Sequence, residues 1–90
     1  MEPDFDKLPE QYRDGMRRYF ERGVMPGSFL RSVLANDLVN ACGRADEIGR
    51  VNLFEIVTWC YWELPSNAWQ SLDAVDAWSR ARYAETEAAR

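Results

Sequence analysis

Ninety residues make one small domain, and at this size a single core must use large side chains to reach even a modest stability margin. Four Trp, four Tyr and four Phe in a chain that is 47% hydrophobic supply them and exclude intrinsic disorder. Fifteen acidic against eleven basic residues, a net charge of −4, argue against coating nucleic acid by counterion release and suit cationic partners or plain solubility.

The opening MEPDFDKLPEQYRDGM is acidic and has no apolar core, so no secretory signal is expected. No apolar run approaches the roughly 18 residues of a membrane span, so the chain reads as a soluble, cytoplasmic protein. Residues 1–7 are polar and are expected to be loosely ordered. Leu8, Tyr12, Met16, Tyr19 and Phe20 then recur at helical spacing, with Pro9 near the first turn and Gly23 just past the end, which predicts a first helix over 9–22. Its other face carries Arg13, Asp14, Arg17, Arg18, Glu21 and Arg22. The pairs Asp14–Arg18 and Arg17–Glu21 are four apart and contribute ~0.3 kcal/mol each, as on a solvated face.

Pro26 and Ser28 mark the start of a second helix over 27–42, with Phe29, Leu30, Val33, Leu34, Leu38 and Ala41 on its inner face. Asp37 falls inside that stripe. Either Asn36 and Asp37 interrupt the helix, or the carboxylate leaves the stripe for a donor: the helix start after Asn52, the Trp69 indole, or Arg44. Asn36, Asp37, Arg44 and Asp46 are therefore read as structural polar residues, with Asp37 as a fastener between helices. Residues 43–50, GRADEIGR, read as a connection.

Asn52 and Glu55 have capping-box spacing, and Val51 and Ile56 are placed as a hydrophobic staple, so a third helix is expected from Asn52 to Pro65. Leu53, Ile56, Val57, Cys60, Tyr61 and Leu64 form its inner stripe, leaving Trp59 and Trp62 on the Glu55 side. After the turn PSNAWQ, Ser71 caps a fourth helix over 72–83 with Leu72, Val75 and Trp78 inward. Residues 84–90 have nothing to bury and are expected to fray. With no strand pattern, the fold class is all-α: a compact single-domain bundle of three to four helices over residues 8–83.

The chemistry is sparse. With no histidine, Ser28, Ser32, Ser66, Ser71 and Ser79 lack an imidazole to activate them. Cys42 and Cys60 both fall on apolar faces and read as buried thiols, a disulfide or redox pair being the alternative. There is no phosphate loop, zinc spacing or EF-hand loop, and no cofactor or metal is expected. A carboxylate-only mechanism or a Mg²⁺ site built from Asp37, Asp46 and Glu47 is the alternative, and the expectation is a non-enzyme. DNA binding would fall to Arg13, Arg17 and Arg18, diluted by Asp14 and Glu21, because the second helix interleaves Arg31, Asn36 and Asn40 with Asp37. Trp59, Trp62 and Trp69 are the stronger lead, either packed under neighbouring segments or forming a patch for a protein partner.

PGSFL (26–30), NDL (36–38), RAD (44–46) and the Pro65–Trp69 turn resemble a family of small, uncharacterised phage and prophage accessory proteins over residues 8–79. Gln70 departs from the pattern, standing where a glycine is expected after the Trp. The resemblance implies a bacterial cytoplasm holding phage DNA and a small acidic protein that binds host proteins; it implies no chemistry. The leading expectation is thus a non-enzymatic protein–protein interaction module modulating a host or phage protein. A DNA-associated regulator using the first helix, and a structural homodimer, are the alternatives.

Overall fold

The computed structural model describes residues 2–88. Among these there are five α-helices and no strand: α1 (Glu10–Arg22), α2 (Ser28–Leu34), α3 (Leu38–Arg44), α4 (Glu47–Glu63) and α5 (Leu72–Ala88), with 3-10 turns at Phe5–Lys7 and Ser66–Ala68. The all-α class holds, but the bundle has five helices where three to four were expected, because the second predicted helix is two. Among the described residues no helix is long and apolar enough to cross a membrane.

α1 matches its sequence signals. Pro9 precedes it, and Gly23 ends it at φ 73°, donating its N–H to Tyr19 O at 2.9 Å. A Cβ on Gly23 would lie 2.2 Å from Ser79 O, so glycine is also what lets the end of α1 abut α5. Ser79 Oγ donates to Gly23 O, and Trp78 Nε1 donates to Phe20 O at 3.1 Å.

The predicted 27–42 helix breaks at Asn36, which sits at φ 61° in the left-handed region. Asparagine tolerates that conformation better than most residues and ends α2 there. Asp37 then caps α3, its Oδ1 accepting from Asn40 N at 3.3 Å and its Oδ2 from Asn40 Nδ2 at 2.6 Å. The carboxylate is exposed and bonds within its own helix, so Asp37 is not a fastener between helices. Leu38, expected inward, is 62% exposed because the break rotates it off the α2 stripe.

The expected 43–50 connection shrinks to Ala45 and Asp46. Asp46, rather than Asn52, caps α4, accepting from Gly49 N at 2.7 Å. Asn52 lies inside the helix and donates through Nδ2 to Ile48 O at 2.9 Å; Val51 is exposed, so the staple does not form. At the other end, Ser71 Oγ accepts from Ala74 N at 3.1 Å as expected of a cap. Leu72, expected inward, is 48% exposed. α5 continues through residue 88 instead of fraying at 84, with Arg82 and Glu85 paired at 3.0 Å. Met1 and residues 89–90, the ends of the two expected loose segments, lie outside the described residues.

Met16, Tyr19, Leu34, Ile56, Cys60 and Val75 form the enclosed centre, drawn from α1, α2, α4 and α5. The Tyr19 hydroxyl donates to Ala68 O at 2.6 Å, which satisfies its one polar atom in that core. The N-terminal segment joins the core: Phe5 and Leu8 are buried, so residues 2–7 are docked and not loose.

Candidate functional site

The three tryptophans considered for a partner patch have different environments. Trp59 is 5% exposed, its Nε1 donating to Asp4 O at 2.8 Å and its ring 5.5 Å from that of Phe5. The N-terminal turn lies over it, held by Asp4 N donating to Glu63 Oε1 at 2.7 Å and by a Lys7–Glu63 ion pair at 3.8 Å. Trp69 is also buried. Trp59 and Trp69 are thus not surface contact residues, whereas Trp62 is 74% exposed, edge-on to Tyr61.

The structural polar set divides as well. Asp46 is the fastener: its Oδ1 also accepts from Tyr12 Oη at 2.9 Å and its Oδ2 from Gln11 Nε2 at 2.9 Å, tying α1 to the start of α4. The Gly49 N–H, then the Gln11 and Tyr12 side chains, hold its carboxyl below the ordinary range. Arg44 Nη1 donates to Ser32 Oγ at 3.3 Å, joining α3 to α2. With Arg31, Asn40 and Asp37 it lines an open polar cleft of about 320 Å³.

On α1, Arg13 donates through Nε to Leu8 O at 2.8 Å and through Nη2 to Asp6 O at 3.0 Å, and Arg17 lies over the Phe5 ring at 4.9 Å. Both serve the docked N-terminal turn. Arg18 instead borders an open groove of about 710 Å³ with Asp14 and the loop before α2. Arg13 and Arg17 thus face the N-terminal turn, and Arg18 faces the groove. Cys60 is buried, and burial pushes its thiol up to about 12; Cys42, expected buried, is exposed. Among the described residues no cluster of three or more His, Cys, Asp or Glu is placed to hold a metal ion.

What the structure does assemble is a second apolar stripe, on the outer side of α4. Val51, Phe54, Tyr61 and Trp62 are 66–83% exposed, and Ile48 is 46% exposed beside them. Residues 51, 54, 58 and 61 follow the 3–4 spacing that keeps side chains on one helix face. Between Phe54 and Trp62 the short Thr58 leaves a cleft of about 290 Å³, walled by Trp59 and edged by Glu55 and Glu63. Sequence reasoning placed Val51 in a staple and Tyr61 in the inner stripe, and gave Phe54 no role. The signal that could have found this face is that α4 carries two apolar stripes; a helix apolar all round normally has all of it covered.

Comparison of the chain with protein-family models, with curated proteins and with solved structures finds no match.

Proposed function

We propose that this protein is a non-enzymatic protein–protein interaction module that docks through the outer face of α4. The observation that carries the reading is the group Val51, Phe54, Tyr61 and Trp62, exposed together on one regular helix. Aromatic side chains held on a rigid helix supply large contact area at little entropic cost, and contiguous apolar surface of this kind marks interaction sites. The resemblance of PGSFL, NDL and RAD to small phage and prophage accessory proteins supports a bacterial cytoplasm as the setting and modulation of a host or phage protein as the outcome.

DNA association is the weaker reading, since Arg13 and Arg17 are committed to the N-terminal turn. The test is capture from a bacterial lysate with wild-type protein and with the Phe54→Ala, Trp62→Ala double variant. A partner recovered by the wild type and lost by an equally stable double variant supports the reading. Equal recoveries from the two baits sink the reading of a host or phage partner on this face.

A further inference from the structure

The outer face of α4 has a shape that fits itself. Its residues alternate small and large along the helix: Val51, Phe54, Thr58, Tyr61. A two-fold axis perpendicular to α4 between Phe54 and Thr58 runs a second helix antiparallel to the first. It then sets Phe54 over Thr58 of the other copy and Val51 over the other Tyr61, so every layer pairs a large side chain with a small one. That is the condition for knobs to enter holes without overlap or void. The cleft between Phe54 and Trp62 over Thr58 is the hole in question, with Trp59 as its wall and Lys7, Glu55 and Glu63 on its rim. On one flank the same operation brings Ile48 toward Trp62 of the second copy. A parallel pairing does worse: it stacks Phe54 on Phe54, leaves Thr58 facing Thr58, and opposes the two Glu47 carboxylates.

The area agrees with such a contact. Three aromatic side chains of roughly 150–250 Å² each, largely exposed, together with Val51 and Ile48, present on the order of 600 Å² per copy. A pair then buries on the order of 1,200 Å², the lower bound for a stable interface. Glu55, exposed beside the 51, 54, 58, 61 line, comes close to its own symmetry mate and is the unfavourable charge contact of the pairing. The surface is also isologous by construction, as a closed dimer requires.

We infer that the occupant of this face is a second copy of the chain, docked antiparallel with Phe54 of each copy seated over Thr58 of the other. This rests on the reading of the α4 face as a docking surface. The full chain is followed by light scattering from low micromolar to several hundred micromolar concentration, with thermal unfolding recorded for each variant. The wild type is expected to rise to twice the monomer mass. Thr58→Arg fills the hole and is expected to weaken association at least about tenfold, with an unfolding midpoint equal to that of the wild type at concentrations where both are monomeric. Glu55→Gln relieves the like charges brought together near the axis and is expected to tighten association, a gain that misfolding cannot mimic.

Orientation is read by oxidation in a Cys42→Ser background: Glu55→Cys cross-links to itself in the antiparallel pair and Val51→Cys does not. The reverse pattern overturns the geometry. A wild type monomeric at every concentration, or a dimer indifferent to both Thr58→Arg and Glu55→Gln, overturns the inference. If the chain is monomeric but lysate capture still depends on Phe54 and Trp62, the face docks a different protein. If both fail, the docking reading fails with it.

Discussion

Asp46 accepts hydrogen bonds from the Gly49 N–H, the Tyr12 hydroxyl and the Gln11 amide, so one exposed carboxylate serves both as the cap of α4 and as its tie to α1. Its pKa is lowered in the folded state, so the stabilisation it gives is present at neutral pH and is lost as the pH falls through the folded value. Asp46→Ala is expected to lower the unfolding temperature more than Asp37→Ala, which removes a cap bonded only to Asn40. Asp46→Asn is expected to flatten the decline of unfolding temperature below about pH 4; a parallel decline in wild type and variant would contradict this. Gln70 poses the opposite case. At φ 90° it holds a conformation suited to glycine, pinned there by its N–H donating to Leu34 O at 2.7 Å. Gln70→Gly keeps that bond and removes the side-chain strain, so it is expected to stabilise by about 1 kcal/mol in urea unfolding. A lower urea midpoint would show that the glutamine side chain makes a compensating contact.

The elements were legible wherever a local signal had no competitor. Pro9 and Gly23 bracket α1, and Ser71 opens α5, because caps and turns act within a few residues. Two local signals competed over Asn36–Asp37, where the apolar stripe argued for continuity and the Asn-Asp pair for a stop followed by a new cap. The pair prevailed because Asn36 takes the left-handed conformation and Asp37 caps a new helix, which turns Leu38 outward while Ala41 stays buried. The start of α4 was misread for a related reason: Asn52–Glu55 and Asp46–Gly49 both have cap spacing, and only the tertiary partners Gln11 and Tyr12 favour the earlier one. Gly49 shows that partnership directly. A Cβ there would lie 2.8 Å from Tyr12 Oη and 3.0 Å from Phe29 Cζ, with Tyr12 anchored to Asp46. Alanine usually favours a helix interior by about 1 kcal/mol, but overpacking against anchored side chains costs about 1–3 kcal/mol. Gly49→Ala is therefore expected to destabilise, and a neutral or stabilising result would mean that α1 can move away from α4.

At the scale of the whole molecule, the least legible feature was the N-terminal segment, whose polar composition conceals one aromatic anchor. Phe5 sits between Phe20, Trp59 and the Arg17 guanidinium, at ring separations of 6.2 and 5.5 Å and a cation distance of 4.9 Å. It covers one side of α4 while the outer side of the same helix stays bare. The two sides should therefore respond differently to truncation. Phe5→Ala empties a buried site and is expected to cost about 3 kcal/mol, a large share of the roughly 5–15 kcal/mol available to a domain of this kind. Trp62→Ala removes a side chain that touches little and should leave the urea midpoint near that of the wild type. Cys60 offers an independent readout, because its buried thiol, pushed up to about 12, reacts only when the core opens, whereas Cys42 is exposed throughout. Alkylation of Cys60 should accelerate in Phe5→Ala and not in Trp62→Ala. Equal labelling rates would place the N-terminal turn outside the cooperative unit that encloses Cys60.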